Sequence, residues 1–199
     1  MLALFRLAPL AAALAFGGTA AHAADFEVAG QLIHHNDFAS IDFSLASAAN
    51  VVRIWSTSWL GGVNFDPTAA LWSKSGGDFT LLSEVDDDDT VGPGQGFYDT
   101  GFSLALGAGA YRVTLGAAVN GANGTLLSQG FLYDDQAPIL IGNWNQPTYD
   151  PNRNDQKGNF YSVRFSNVDA VSPIPEPETW ALMALGLGAL GVAGRSRKS

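Results

Sequence analysis

Residues Ile41-Asp42-Phe43-Ser44-Leu45 alternate apolar and polar side chains, and Tyr111-Arg112-Val113-Thr114-Leu115 repeat the pattern. A period of two sends the apolar members of each run to one face of an extended strand. Short runs of this kind recur along the middle of the chain, separated by Gly-Gly, Asn-Gly and Gly-Pro-Gly turns. No long run carries the 3.6-residue apolar period of an amphipathic helix. The spacing predicts strands over 26–33, 40–46, 50–58, 67–73, 79–85, 99–106, 110–119, 124–133 and 159–168. Many short strands with turn chemistry between them make an all-β sandwich or barrel.

The chain also echoes itself. Phe43, Ser44, Leu45, Ala46, Ala49 and Arg53 match Phe102, Ser103, Leu104, Ala105, Ala108 and Arg112, 59 residues downstream. Each copy reads as a strand, a small-residue turn and a second strand. Either two hairpins occupy equivalent places in a two-sheet sandwich, or the copies share only hairpin composition.

Charge restricts the partners. The 199 residues carry a formal net charge of −9, with 15% charged residues. Between residues 24 and 172, 6 Lys/Arg stand against 17 Asp/Glu, a balance of −11. That middle lacks the basic face that phosphate binding needs, which excludes a nucleic-acid partner. Cations suit it better.

The two ends read as addresses. Arg6 precedes an apolar stretch, Leu7 to Phe16, and small residues lead to Ala21-His22-Ala23. These are the three regions of a secretory signal peptide over 1–23, with cleavage by signal peptidase expected after Ala23. The alternative is an uncleaved N-terminal anchor. With no Cys in the chain, an exported domain must be held by its core or by metal.

At the other end, Trp180 to Ala193 is uncharged and mostly Ala, Leu and Gly. Fourteen helical residues rise about 21 Å, against a hydrocarbon core of about 30 Å. A single short transmembrane helix is expected over 180–194, with a basic tip, Arg195, Arg197 and Lys198, over 195–198. The tip would stay cytoplasmic, leaving the domain outside. A span this short is a poor permanent anchor and suits transient residence in the inner membrane.

Pro175-Glu176-Pro177, the apolar helix and the basic tip together resemble the PEP-CTERM sorting signal of Gram-negative bacteria, over 173–199. Ile174 stands where Val is usual. The resemblance implies processing by a membrane-embedded exosortase, export to the cell surface or extracellular matrix, and association with exopolysaccharide and biofilm. The alternative is an ordinary tail anchor on a proline-rich stalk.

The middle, 24–172, carries a second resemblance. Phe65-Asp66-Pro67, Gly76-Gly77, Asp86 to Asp89, Phe102-Ser103-Leu104 and Tyr111-Arg112-Val113 follow a pattern that is similar to the bacterial pre-peptidase C-terminal domain, over roughly 30–133. The resemblance implies a jelly-roll-like β-sandwich.

Asp86, Asp87, Asp88 and Asp89 are the strongest local candidate for chemistry. Adjacent carboxylates repel one another and favour a hard cation such as Ca²⁺, which takes six to eight oxygens. Strand alternation lets only some of the four share one ion, and Asp66 adds an oxygen if the loops meet. The competing reading is a solvated, edge-protecting turn. Some pre-peptidase-type domains bind Ca²⁺, as the resemblance implies.

His34 and His35 are adjacent and would point to opposite faces, so they cannot easily share a metal. No nucleophile elbow, His-Glu-x-x-His motif or Cys nucleophile is present. A non-enzymatic protein is expected, with no catalytic residues. Trp55, Trp59, Trp72 and Trp144 invite sugar stacking, and core packing is the competing fate. Residues 144–159 form a long polar loop. The expected function is an exported surface or matrix component. The alternatives are a Ca²⁺-dependent carbohydrate-binding module or an accessory domain of a secreted enzyme.

Overall fold

The computed structural model describes residues 24–146 and 158–174. Within them the chain forms β1 (Ala24–Gln31), β2 (Phe38–Leu45), β3 (Ala49–Ser56), β4 (Pro67–Ser75), β5 (Asp78–Val85), β6 (Gly101–Leu106), β7 (Gly109–Ala117), β8 (Phe160–Val168) and β9 (Ala170–Ile174). They pair into two antiparallel sheets, β1-β8-β3-β6 and β5-β4-β7-β2-β9. The strands couple as β1·β8, β2·β7, β3·β6 and β4·β5. A long hairpin of eight strands rolled on itself produces this pairing, which is the jelly-roll topology.

Alternation builds the core. Ile41, Phe43 and Leu45 of β2 face inward with Val113 and Leu115 of β7, and meet Val52, Ile54, Phe102, Val163 and Phe165 from the other sheet. Phe43 stacks on Tyr111 at 5.2 Å between ring centres and tilts against Phe165 at 5.7 Å. A second, smaller cluster lies outside the five-stranded sheet, where Ala70, Trp72 and Phe131 pack with Phe38, Phe79, Leu81, Ala122 and Leu127.

Two expectations need correction. Residues 124–133 do not form a strand. The segment touches β5 through one bridge, Thr80 to Leu126, then turns through a short 3₁₀ segment, Leu127–Gln129. Gly130, at φ 75°, ends the turn and sends Phe131 onto Trp72. Leu127 and Phe131 instead pack over the outside of the sheet, while Leu126 and Leu132 are exposed. The echoed units are not hairpins either. β2 and β3 lie in different sheets, as do β6 and β7. Each unit is an arch across the sandwich, and the two run opposite ways, so β2 pairs with β7 and β3 with β6.

β9 was not foreseen. Asp169 alone separates it from β8. The Asp169 amide donates to Ser44 O at 3.1 Å, and its carboxylate accepts from the Ala46 amide at 2.7 Å. These bonds swing the chain to the other sheet. Pro173 sits on an edge strand, where its missing N–H costs no ladder bond. The strand runs to Ile174, two residues beyond the expected end of the domain at 172.

Candidate functional site

β5 ends at Val85, so the acidic run lies in the loop that follows. Strand alternation therefore does not govern it, and adjacent residues can point the same way. Carboxylate oxygens of Asp66, Asp86 and Asp87 lie within 4.8 Å of one another. Oxygens around one Ca²⁺, each about 2.4 Å from it, span no more than about this distance. Asp66 is buried at the entrance to β4, while Asp86 and Asp87 reach solvent.

The electrostatics match the crowding. Burial, with the Asp86 charge beside it, pushes the Asp87 carboxyl up to about 6. Burial also raises Asp86; a hydrogen bond with Thr68 opposes that rise and the charge of Glu84 adds to it. Three carboxylates in one place favour either a shared proton or a cation. Asp88 is turned elsewhere, accepting from the Thr90 amide at 2.9 Å and the Thr90 hydroxyl at 2.6 Å. Asp89 is exposed and outside the group. The structure thus brings together three of the five acidic residues expected to act as one.

The loops that hold the group are tied by buried polar side chains. Asp66 and Gln146 join through the Asp66 amide to Gln146 Oε1 at 3.2 Å and Gln146 Nε2 to Asp66 O at 2.9 Å. Asn64 Nδ2 donates to Ser58 O at 2.7 Å and also to Phe160 O. Asp99 holds the far end of the acidic loop. Sequence reasoning missed Asp99 and Gln146, because a lone polar residue in a loop carries no periodic signal. The one hint was an acid between Tyr98 and Thr100, immediately before a strand.

The other nominated residues are engaged separately. His35 is buried between Tyr133 and Trp144, with ring centres 5.4 and 5.0 Å away. Its Nδ1 accepts from the Ile139 amide at 3.2 Å, so Nε2 carries the proton and donates to Gln136 Oε1 at 3.0 Å. His34 Nδ1 lies 3.4 Å from Asp37 Oδ2. Trp55, Trp72 and Trp144 are buried and offer no open ring face, which corrects the sugar-stacking reading for them. Trp59 is half-buried against Tyr98, 5.1 Å between ring centres.

Ala21, Ala23, Pro175, Glu176, Pro177, Arg195, Arg197 and Lys198 lie outside the described residues, as does the helix expected over 180–194. Among the described residues no helix is long and apolar enough to cross a membrane.

Fold and tail together define a class: an all-β sandwich attached to a C-terminal sorting segment. Residues 173–198 match the PEP-CTERM protein-sorting motif, so the chain carries that signal. It marks a protein exported and processed by exosortase, destined for the cell surface or exterior. No curated protein matches the chain. Among solved structures, the pre-peptidase C-terminal domain of a collagenase from Bacillus anthracis is similar over 74% of this chain and 89% of that one, at 11% identity and a TM-score of 0.37. The jelly-roll assignment stands on the strand pairing, independently of that likeness.

Proposed function

We propose that this is a non-enzymatic component of the cell surface or extracellular matrix, associated with exopolysaccharide and biofilm. Signal peptidase removes 1–23, and the tail resides in the inner membrane only until exosortase acts. One observation carries the reading: β9 ends at Ile174, the second residue of the matched sorting segment, and Pro175-Glu176-Pro177 follows at once. Processing inside the tail would release the sandwich without cutting any of its strands. The expected start of the mature chain, Ala24, is likewise the first residue of β1. Intact-mass measurement of the protein recovered from its host tests this. Loss of both ends supports it; a retained 180–199 segment means a plain anchor.

The juxtaposition of Asp66, Asp86 and Asp87 supports a second reading, a Ca²⁺-dependent binding module. Ca²⁺ would take the three carboxylates, with further oxygens from backbone or water. Calorimetric titration tests it: no heat, and no rise in melting temperature at millimolar Ca²⁺, removes the idea.

A further inference from the structure

A groove of about 370 Å³ lies on the outer face of the four-stranded sheet. That volume falls at the small end of small-molecule pockets, about 300–1,000 Å³. Strand register builds its floor. Trp55 of β3 stands opposite Arg164 of β8, which stands opposite Glu27 of β1. One step along, Arg53 stands opposite Ser166. These side chains face outward because their strand neighbours Ile54 and Phe165 are buried in the core. Val91 and Pro93 form the roof. The roof is fixed, because Trp55 Nε1 donates to Pro93 O at 3.2 Å. Gly92 lies so close on the indole that a Cβ there would collide with it.

The charges are unusual for this acidic molecule. The described residues include four Lys/Arg side chains, and two of them, Arg53 and Arg164, line this one groove. Arg164 Nη2 lies 3.3 Å from Glu27 Oε2, and Glu27 Oε1 accepts from Ser162 Oγ at 2.8 Å, so Glu27 is satisfied. The buried Arg164 Nε has no hydrogen-bond partner. Arg53 makes no ion pair among the described residues. Asp25 contributes a carboxylate to the same groove.

We propose that this groove binds a neutral pyranose unit. Guanidinium groups only donate and carboxylates only accept, so together they match a ring of hydroxyls that do both. Of the roof, Pro93 is exposed, and its apolar ring suits the C–H face of the sugar, while Trp55 beneath it serves as support and not as a stacking platform. The two arginines are balanced by Asp25 and Glu27, and the chain as a whole is negative, so an anionic ligand gains no net attraction. The inference deepens the matrix reading by naming its sugar contact, and it rests on that reading for its biological setting.

Saturation-transfer NMR on the full chain in detergent tests it, with methyl glucoside, methyl galactoside, methyl mannoside, glucuronate and alanine as probes. Saturation of at least one neutral glycoside is expected. Arg53→Gln, at an exposed position, is expected to weaken binding about tenfold at unchanged melting temperature. No saturation of any neutral glycoside overturns the proposal, as does binding of glucuronate or alanine alone. Saturation that survives both Arg53→Gln and Ser166→Trp, a groove-filling change, also overturns it by placing the sugar elsewhere. The intact-mass experiment is independent, so sorting and sugar binding can fail separately.

Discussion

The Oδ1 atom of Asp99 accepts a 2.5 Å hydrogen bond from the hydroxyl of Ser56. The same oxygen takes the Ser58 amide at 2.7 Å and the Trp59 amide at 3.2 Å, while Oδ2 takes the Gly96 amide at 2.8 Å. One buried carboxylate therefore fastens the end of β3 to the loop between β5 and β6. That loop begins with Asp86 and Asp87 and continues into the Gly92-Pro93 roof of the sugar groove. Asp99→Ala would leave several buried donors unpaired, at a cost of about 3 kcal/mol. Denaturant unfolding should read that loss, and Asp99→Asn should fall between it and the parent.

Asp87 sets a pH dependence. Its folded pKa, about 6, lies above the ordinary 3.8, so the folded state holds this proton more tightly. Its stabilising contribution is complete below about pH 4 and is lost as pH rises through 6. Asp87→Asn mimics the protonated form. In the absence of Ca²⁺ it should raise the melting temperature at pH 7.5 and leave it unchanged at pH 4. The gain should be about 1 kcal/mol or less, since the side chain reaches solvent. Melting scans across pH 4–8 check the slope.

Ca²⁺ reverses that sign. Where the carboxylates share an ion, their ionised form is the stabilising one, and Asp87→Asn should abolish the Ca²⁺-induced rise in melting temperature. The rise should also shrink below pH 6. Asp89→Asn, outside the group, should leave it intact. A Ca²⁺ response that Asp89→Asn removes and Asp87→Asn spares would place the ion elsewhere.

Trp72 Nε1 donates to Thr114 Oγ1 at 2.9 Å, with both side chains buried. Thr114→Val keeps the shape and strands the indole N–H. A loss of about 1–2 kcal/mol is expected. Thr114→Ser, which keeps the hydroxyl, should recover most of it in the same urea titration.

β9 covers the edge of β2 along Ser40–Ser44. A chain ending at Asp169 would leave that edge open, and open edges pair with other chains. Concentration-dependent self-association is expected on size exclusion, with a lower melting temperature. A chain ending at Ile174 should remain as dispersed as the parent.

Much of the fold was legible because strands announce themselves locally. Ile41, Phe43 and Leu45 alternate with polar neighbours, and one face had to be buried. The failures share a cause. Leu127 and Phe131 looked like part of a strand, yet they are apolar because they pack with Trp72 on the outside of the sheet. Residues 170–174 carried no strand signal, because Pro173 is tolerated only at an edge, and edges are defined by the other strands. The acidic loop was visible as composition; which of its members meet was not.

The order of apolar and polar residues, acting through the two-residue period of a strand, by itself determined that this chain is β. The tail residues from Pro175 onward determined by themselves that it is exported, because a sorting signal is read as a linear segment. Tertiary structure alone decided that the echoed units are arches, that Asp66 joins Asp86 and Asp87 while Asp88 and Asp89 do not, and that Arg53 and Arg164 share a groove. Those are relations between residues far apart in the chain. They come into being only when the rolled hairpin sets β1 beside β8 and β3 beside β6, and no local pattern encodes that distance.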